Sequence, residues 1–130
     1  MATYERIVNK LTNYLVSLGF KEKNGQYTKV LKDTADFRIS KTLYDAISTG
    51  KAYGGNMDYL PMCAEENFIT DLENGFDKVL PLTDHEKEWL QSFDEDGLYG
   101  WDLISEWIWD NVEVTVQKKA FNAFTKTLAA

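Results

Sequence analysis

The chain holds one histidine, His85, and one cysteine, Cys63, and that count bounds its chemistry before any fold is considered. A zinc site built from histidine and cysteine needs three or four such ligands, so this pair cannot supply one alone. His85 precedes Glu86, but Trp89 stands where the second histidine of a zinc-protease helix belongs. A catalytic triad would require the fold to bring His85 to Cys63 or to a serine, with an acid to orient it, and no local spacing provides that. No catalytic residue is assigned.

Two further motifs are considered and set aside. Ser92-Phe93-Asp94-Glu95-Asp96-Gly97 places oxygen ligands at the first, third and fifth positions of a calcium loop and glycine at the sixth. Its twelfth position is Leu103 rather than the bidentate glutamate that closes such a site, so Gly97 reads as a turn residue. Ser48 to Gly55 has a superficial phosphate-loop composition in the wrong order and reads as a flexible loop, one that could serve as a lid or contact loop with Lys51, Tyr53 and Tyr59 offering a cation and two rings. Neither a metal nor any other cofactor is expected.

What remains is charge. The formal net charge of −7 argues against nucleic acid or an anionic membrane as a direct partner of the chain as a whole. The charge is not evenly spread. Residues 1–57 carry nine basic and five acidic residues, whereas residues 58–113 carry two basic and sixteen acidic, and residues 114–130 add three lysines. Within the acidic block, Asp102, Glu106 and Asp110 recur every fourth residue, so a helix stacks their carboxylates in one stripe. Glu66, Glu73 and Asp77 form a looser stripe at i, i+7 and i+11, and Asp94, Glu95 and Asp96 add a run. Such faces either meet lysines from elsewhere in the fold or stay open to a basic partner.

All four tryptophans, Trp89, Trp101, Trp107 and Trp109, fall in this block. Trp101 suits the apolar face of a helix, but Trp107 and Trp109 lie about 200° apart on one, so at least one is expected to be partly exposed. Trp101, Trp107 and Trp109 among carboxylates have the composition of an interface hot spot.

The elements that position these residues follow from periodicity. Ile7, Leu11, Leu15 and Leu18 predict a helix over Tyr4 to Leu18, with Thr3 as its cap and Gly19 closing it. Asn24-Gly25 between two short runs predicts a hairpin. Phe37 and Ile39, alternating with Asp36, Arg38 and Ser40, read as a third strand of a small meander packed on the first helix. Thr42 to Ser48 offers one or two helical turns. Glu65, Ile69, Leu72 and Phe76 mark a longer helix that Asn74-Gly75 ends or interrupts before Pro81. Thr83 and Glu86 make a capping box for a helix burying Trp89, Leu90 and Phe93. Gly100 opens a helix carrying Trp101, Ile104 and Ile108, residues 112–117 alternate as a strand, and Phe121, Phe124 and Leu128 define a terminal helix.

The expected fold class is therefore α+β: an N-terminal helix and antiparallel hairpin or meander, a mainly helical acidic half, and a C-terminal helix. At 130 residues and 15.0 kDa, with 44% apolar residues and two prolines, the chain is expected to form a single globular domain over 1–130. Its basic part covers about 1–57, its acidic part about 58–113, and its terminal helix about 118–128. No membrane-spanning run and no signal peptide are read, and a lone cysteine suits a reducing compartment, so cytoplasm is expected.

The function that fits this pattern is a small acidic protein-binding module, an inhibitor of anti-defence or immunity type. Its partner would be a basic nuclease or other nucleic-acid-handling protein, met through the acidic, tryptophan-bearing face by nucleic-acid mimicry. Two alternatives stand beside it. A small-molecule enzyme would need a pocket gathering His85, Cys63 or several carboxylates. A structural subunit of a larger assembly would self-associate through exposed aromatics.

Overall fold

The computed structural model describes residues 2–93 and 100–129. In chain order its elements are α1 (Thr3–Ser17), β1 (Lys21–Lys23), β2 (Gln26–Leu31), α2 (Lys41–Ser48), α3 (Tyr59–Val79), α4 (Asp84–Gln91), α5 (Gly100–Asn111), β3 (Val112–Val116) and α6 (Lys118–Ala129). This is an α+β arrangement of six helices and one small sheet among the described residues, with the sheet ordered β1-β2-β3. No described helix is long and apolar enough to cross a membrane. The chain gathers into two compact units, one of Met1–Thr28 with Leu72–Glu113, the other of Lys29–Asp71 with Val114–Ala130. Thus β2, α3 and β3 each begin in one unit and end in the other.

The first unit is built on α1, whose Ile7, Leu11 and Leu15 are fully buried at every fourth position. Leu72 and Phe76 of α3, Leu90 of α4, and Ile104 and Ile108 of α5 are buried too, and the Tyr14 ring meets Phe76 edge-on with centroids 5.9 Å apart. Thr3 does not cap α1: Ala2 occupies the cap position without a side-chain bond, and Thr3 lies inside the helix. Its hydroxyl instead accepts a hydrogen bond from Arg6 at 3.3 Å. Asn24 and Gly25 take φ of +54° and +80°, the left-handed pair a two-residue turn requires, and Lys23 faces Gln26 across it. Asn74-Gly75 does not stop α3, which continues to Val79. A mid-helix glycine costs about 1 kcal/mol relative to alanine, and full burial of the neighbouring Phe76 outweighs it.

The capping box of α4 is complete: the Glu86 N–H donates to Thr83 Oγ1 at 3.2 Å, and the Thr83 N–H donates to Glu86 Oε1 at 2.8 Å. The same carboxylate accepts from Lys10 Nζ at 2.5 Å, and Lys10 also donates to the Pro81 carbonyl at 2.9 Å, so one lysine clips α1 to the entry of α4. Where α5 begins, Gly100 is buried against the last turns of α4. A β-carbon there would stand 2.0 Å from the Leu90 carbonyl oxygen, which explains the glycine.

In the second unit, residues 36–40 do not form the expected third strand. Thr34–Asp36 is a 3-10 turn, and residues 37–40 run on without joining a ladder. Phe37 and Ile39 are buried while Arg38 and Ser40 are exposed, so the alternation reports which side chains face inward, not a pairing. The third strand is β3, with Val112 and Val114 buried, and the Gln117 N–H that follows it donates to the Leu31 carbonyl at 2.8 Å. Phe37 instead meets Phe121 edge-on at 5.2 Å and Phe124 at 5.3 Å, seating α6. Ser40 caps α2 by accepting the Leu43 N–H at 3.1 Å.

Candidate functional site

The geometry of the acidic face starts with α5. Ile104 and Ile108 point into the core, and with that phase fixed, 3.6 residues per turn bring Asp102, Glu106 and Asp110 to the exposed side in one row, about 6 Å apart along the axis. None of the three makes an ion pair among the described residues. Their field reaches a neighbour: burial first, then the charges of Glu106 and Asp110, raise the Tyr4 phenol above its ordinary value.

The end of α3 adds to this row. Glu73, Asp77, Trp101 and Asp102, with Ser105 and Asn74, line a groove of about 300 Å³ in the first unit. Three carboxylates thus share one opening with an indole. Trp109 donates its Nε1–H to Glu73 at 2.6 Å while nearly half of the residue stays exposed, so the ring is tethered yet accessible. Trp107 takes the other course, half-buried on Tyr27 of β2 with ring centroids 5.9 Å apart. The choice between Trp107 and Trp109 that spacing left open is decided by these partners.

Of the residues singled out in the sequence, the first unit brings together Glu73, Asp77, Trp101 and Asp102, with Trp109 bonded to Glu73, and Glu106 and Asp110 continuing the row. Glu66, grouped with Glu73 and Asp77 by its spacing, belongs to the second unit. Asp94, Glu95 and Asp96, and most of the calcium-like run that contains them, lie outside the described residues. The first unit as a whole carries six basic against fourteen acidic residues, a balance of −8, and the second eight against seven, a balance of +1.

His85 is exposed at the start of α4, its Nε2 3.5 Å from Thr3 Oγ1. Burial pushes the Glu86 carboxyl up, but the bonds from Lys10 and Thr83 outweigh it and hold it below its ordinary value. Cys63 is buried in the second unit. No three His, Cys, Asp or Glu side chains among the described residues are placed to hold a metal ion.

Two features had no reading in the sequence. The Lys10–Glu86 pair joins residues 76 positions apart, and only the capping half of its role has a local signal. The second unit also holds an open cavity of about 640 Å³ between Tyr44, Leu60, Val116 and Phe121, beside which Glu65 accepts the Val116 N–H at 3.1 Å. Comparison with family models, with curated proteins and with solved structures finds no match for the chain.

Proposed function

We propose that the chain is a small acidic binding module that inhibits a basic, nucleic-acid-handling protein by occupying the track its phosphates would use. The observation that carries the reading is the row Asp102, Glu106 and Asp110 on α5, which forms no ion pair among the described residues and is continued by the groove carboxylates Glu73 and Asp77. An unpaired row of like charge disfavours its own helix, so a partner that neutralises it gains where the free chain loses. Trp101 in the groove and the tethered Trp109 give the partner apolar anchors among the charges, the composition in which binding energy concentrates. The type of inhibitor this reading implies is one of immunity or anti-defence kind, directed at a nuclease.

The test uses a purified partner recovered from the host lysate at low salt. Its affinity should fall steeply between 0.05 and 0.5 M salt, because the screening length shrinks over that range from about 14 Å to about 4 Å. The combined substitution Asp102→Asn, Glu106→Gln and Asp110→Asn should flatten that dependence and relieve the inhibition. A partner whose binding is indifferent to both overturns the reading.

A further inference from the structure

A second exposed feature belongs to the second unit. Tyr53 and Tyr59 stack with ring centroids 5.0 Å apart and planes 22° from parallel. Both rings are open to solvent, Tyr53 51% and Tyr59 39% exposed, and Met62, one turn along α3, is 43% exposed. Soluble chains bury such side chains where they can, and this unit buries Phe37, Phe68 and Phe121.

The backbone shows that the presentation is built. Tyr53 has a φ of +50°, a left-handed conformation that a bulky aromatic residue seldom adopts, and Gly54 and Gly55 continue it. The loop is held on both sides, by the Ala52 N–H to the Ala46 carbonyl at 2.9 Å and by the Asn56 N–H to the Tyr53 carbonyl at 3.1 Å. Strain kept in place by such bonds is characteristic of binding segments. On α3, Tyr59, Met62 and Glu66 share one face at i, i+3 and i+7. Glu66 makes no ion pair among the described residues, and its charge is felt at the Tyr53 phenol, which is raised first by its hydrogen bond with the Cys63 thiol and also by Glu66. An aromatic face with one open carboxylate beside it has a specific complement. A guanidinium stacks flat on a tyrosine ring and offers a planar fork to a carboxylate, whereas an ammonium does neither as well.

We propose that Tyr53, Tyr59, Met62 and Glu66 form a receiving surface for an arginine side chain of the basic partner, the guanidinium lying on the exposed tyrosine face and its fork on the Glu66 carboxylate. The proposal rests on the reading of a basic protein partner. It adds arginine over lysine as the chemistry recognised, by residues of the second unit.

The test titrates the full chain with nona-arginine and with nona-lysine, peptides of equal charge. The wild-type chain should prefer the arginine peptide about fivefold. Tyr53→Asn, which keeps a residue at ease in the left-handed conformation but removes the ring, should bring the two affinities within about twofold, as should Glu66→Gln. In NMR spectra the Tyr53 and Tyr59 ring signals and the Met62 methyl should move with the arginine peptide and stay with the lysine peptide. Unchanged melting temperatures establish that both variants fold. Absence of the preference in the wild-type chain, including absence of any binding, overturns the proposal, as does a preference that survives Tyr53→Asn. The combined α5 variant separates the two readings: it should weaken the lysine peptide, which has only the row to meet, and leave the arginine preference in place or larger, and lysine-peptide affinity that it leaves intact counts against the acidic row alone.

Discussion

Replacing Lys10 by methionine should destabilise the protein more than replacing Glu86 by glutamine, although the two changes break the same contact. Glu86 is 2% exposed, and its carboxylate takes bonds from Lys10 Nζ and the Thr83 N–H. Lys10→Met strands a buried charge with one remaining donor, a loss of about 3–5 kcal/mol for a fully buried pair. Lys10 is 27% exposed at its side chain, and water entering from that side reduces the figure to about 2–3 kcal/mol. Glu86→Gln removes the charge but keeps a carbonyl that can accept the Thr83 N–H, and Lys10 retains the Pro81 carbonyl, so about 1–2 kcal/mol is expected. The double variant should cost little more than Glu86→Gln, because the stranded charge is gone. Urea unfolding at pH 7 measures all three. A Lys10→Met cost at or below that of Glu86→Gln refutes the argument that burial of the carboxylate sets the size of the effect.

The same pair fixes a pH dependence. Because the Glu86 carboxyl is held lower in the folded chain than its ordinary 4.5, its contribution to stability is complete above that value. It is lost as the pH falls through the lower, folded-state value. The stability gap between the wild-type chain and Glu86→Gln should therefore be constant near neutrality and close below pH 4.5. A gap that widens on acidification contradicts the sign.

Gly100→Ala should cost about 2–4 kcal/mol in urea unfolding, since its β-carbon meets the Leu90 backbone rather than a movable side chain, whereas Gly75→Ala, with open space around it, should gain about 0.5–1 kcal/mol. The combined α5 variant should raise stability at low salt by about 0.4–1 kcal/mol for its two relieved i,i+4 repulsions, and less at high salt. The helix dipole leaves that sum nearly unchanged, because it favours Asp102 in the first turn and opposes Asp110 in the last. Trp109→Phe should cost about 1 kcal/mol by removing the bond to Glu73, read from the melting temperature, and an unchanged value would mean the ring is held by packing alone.

The elements legible in the sequence are those whose signal is contiguous. The Ile7–Leu11–Leu15 period, the Asn24-Gly25 turn, the Thr83–Glu86 box and the alternation of Val112 and Val114 each lie within a few residues of what they specify. The choice of third strand was not legible, because Phe37–Ile39 and Val112–Val114 alternate alike and nothing local says which one pairs with β2. The candidate site divides the same way. The row on α5 follows from spacing alone, but the groove needs Glu73 and Asp102 from separate helices, and the exposure of Trp109 depends on a bond across 36 positions.

Charge shows why that distinction bears on function. Read along the chain, a basic segment precedes an acidic one, and mutual neutralisation is an obvious outcome of folding. The first unit does gather Arg6, Lys10, Lys21 and Lys23 with the acidic helices. Among the described residues, Lys10 is the one of these four that forms an ion pair, and its partner is the buried Glu86 that shapes α4 rather than any carboxylate of the row. Lys10 is engaged in holding two helices together. Among the described residues Asp102, Glu106 and Asp110 form no ion pair, which is the condition under which the proposed cationic partner would gain by meeting the row.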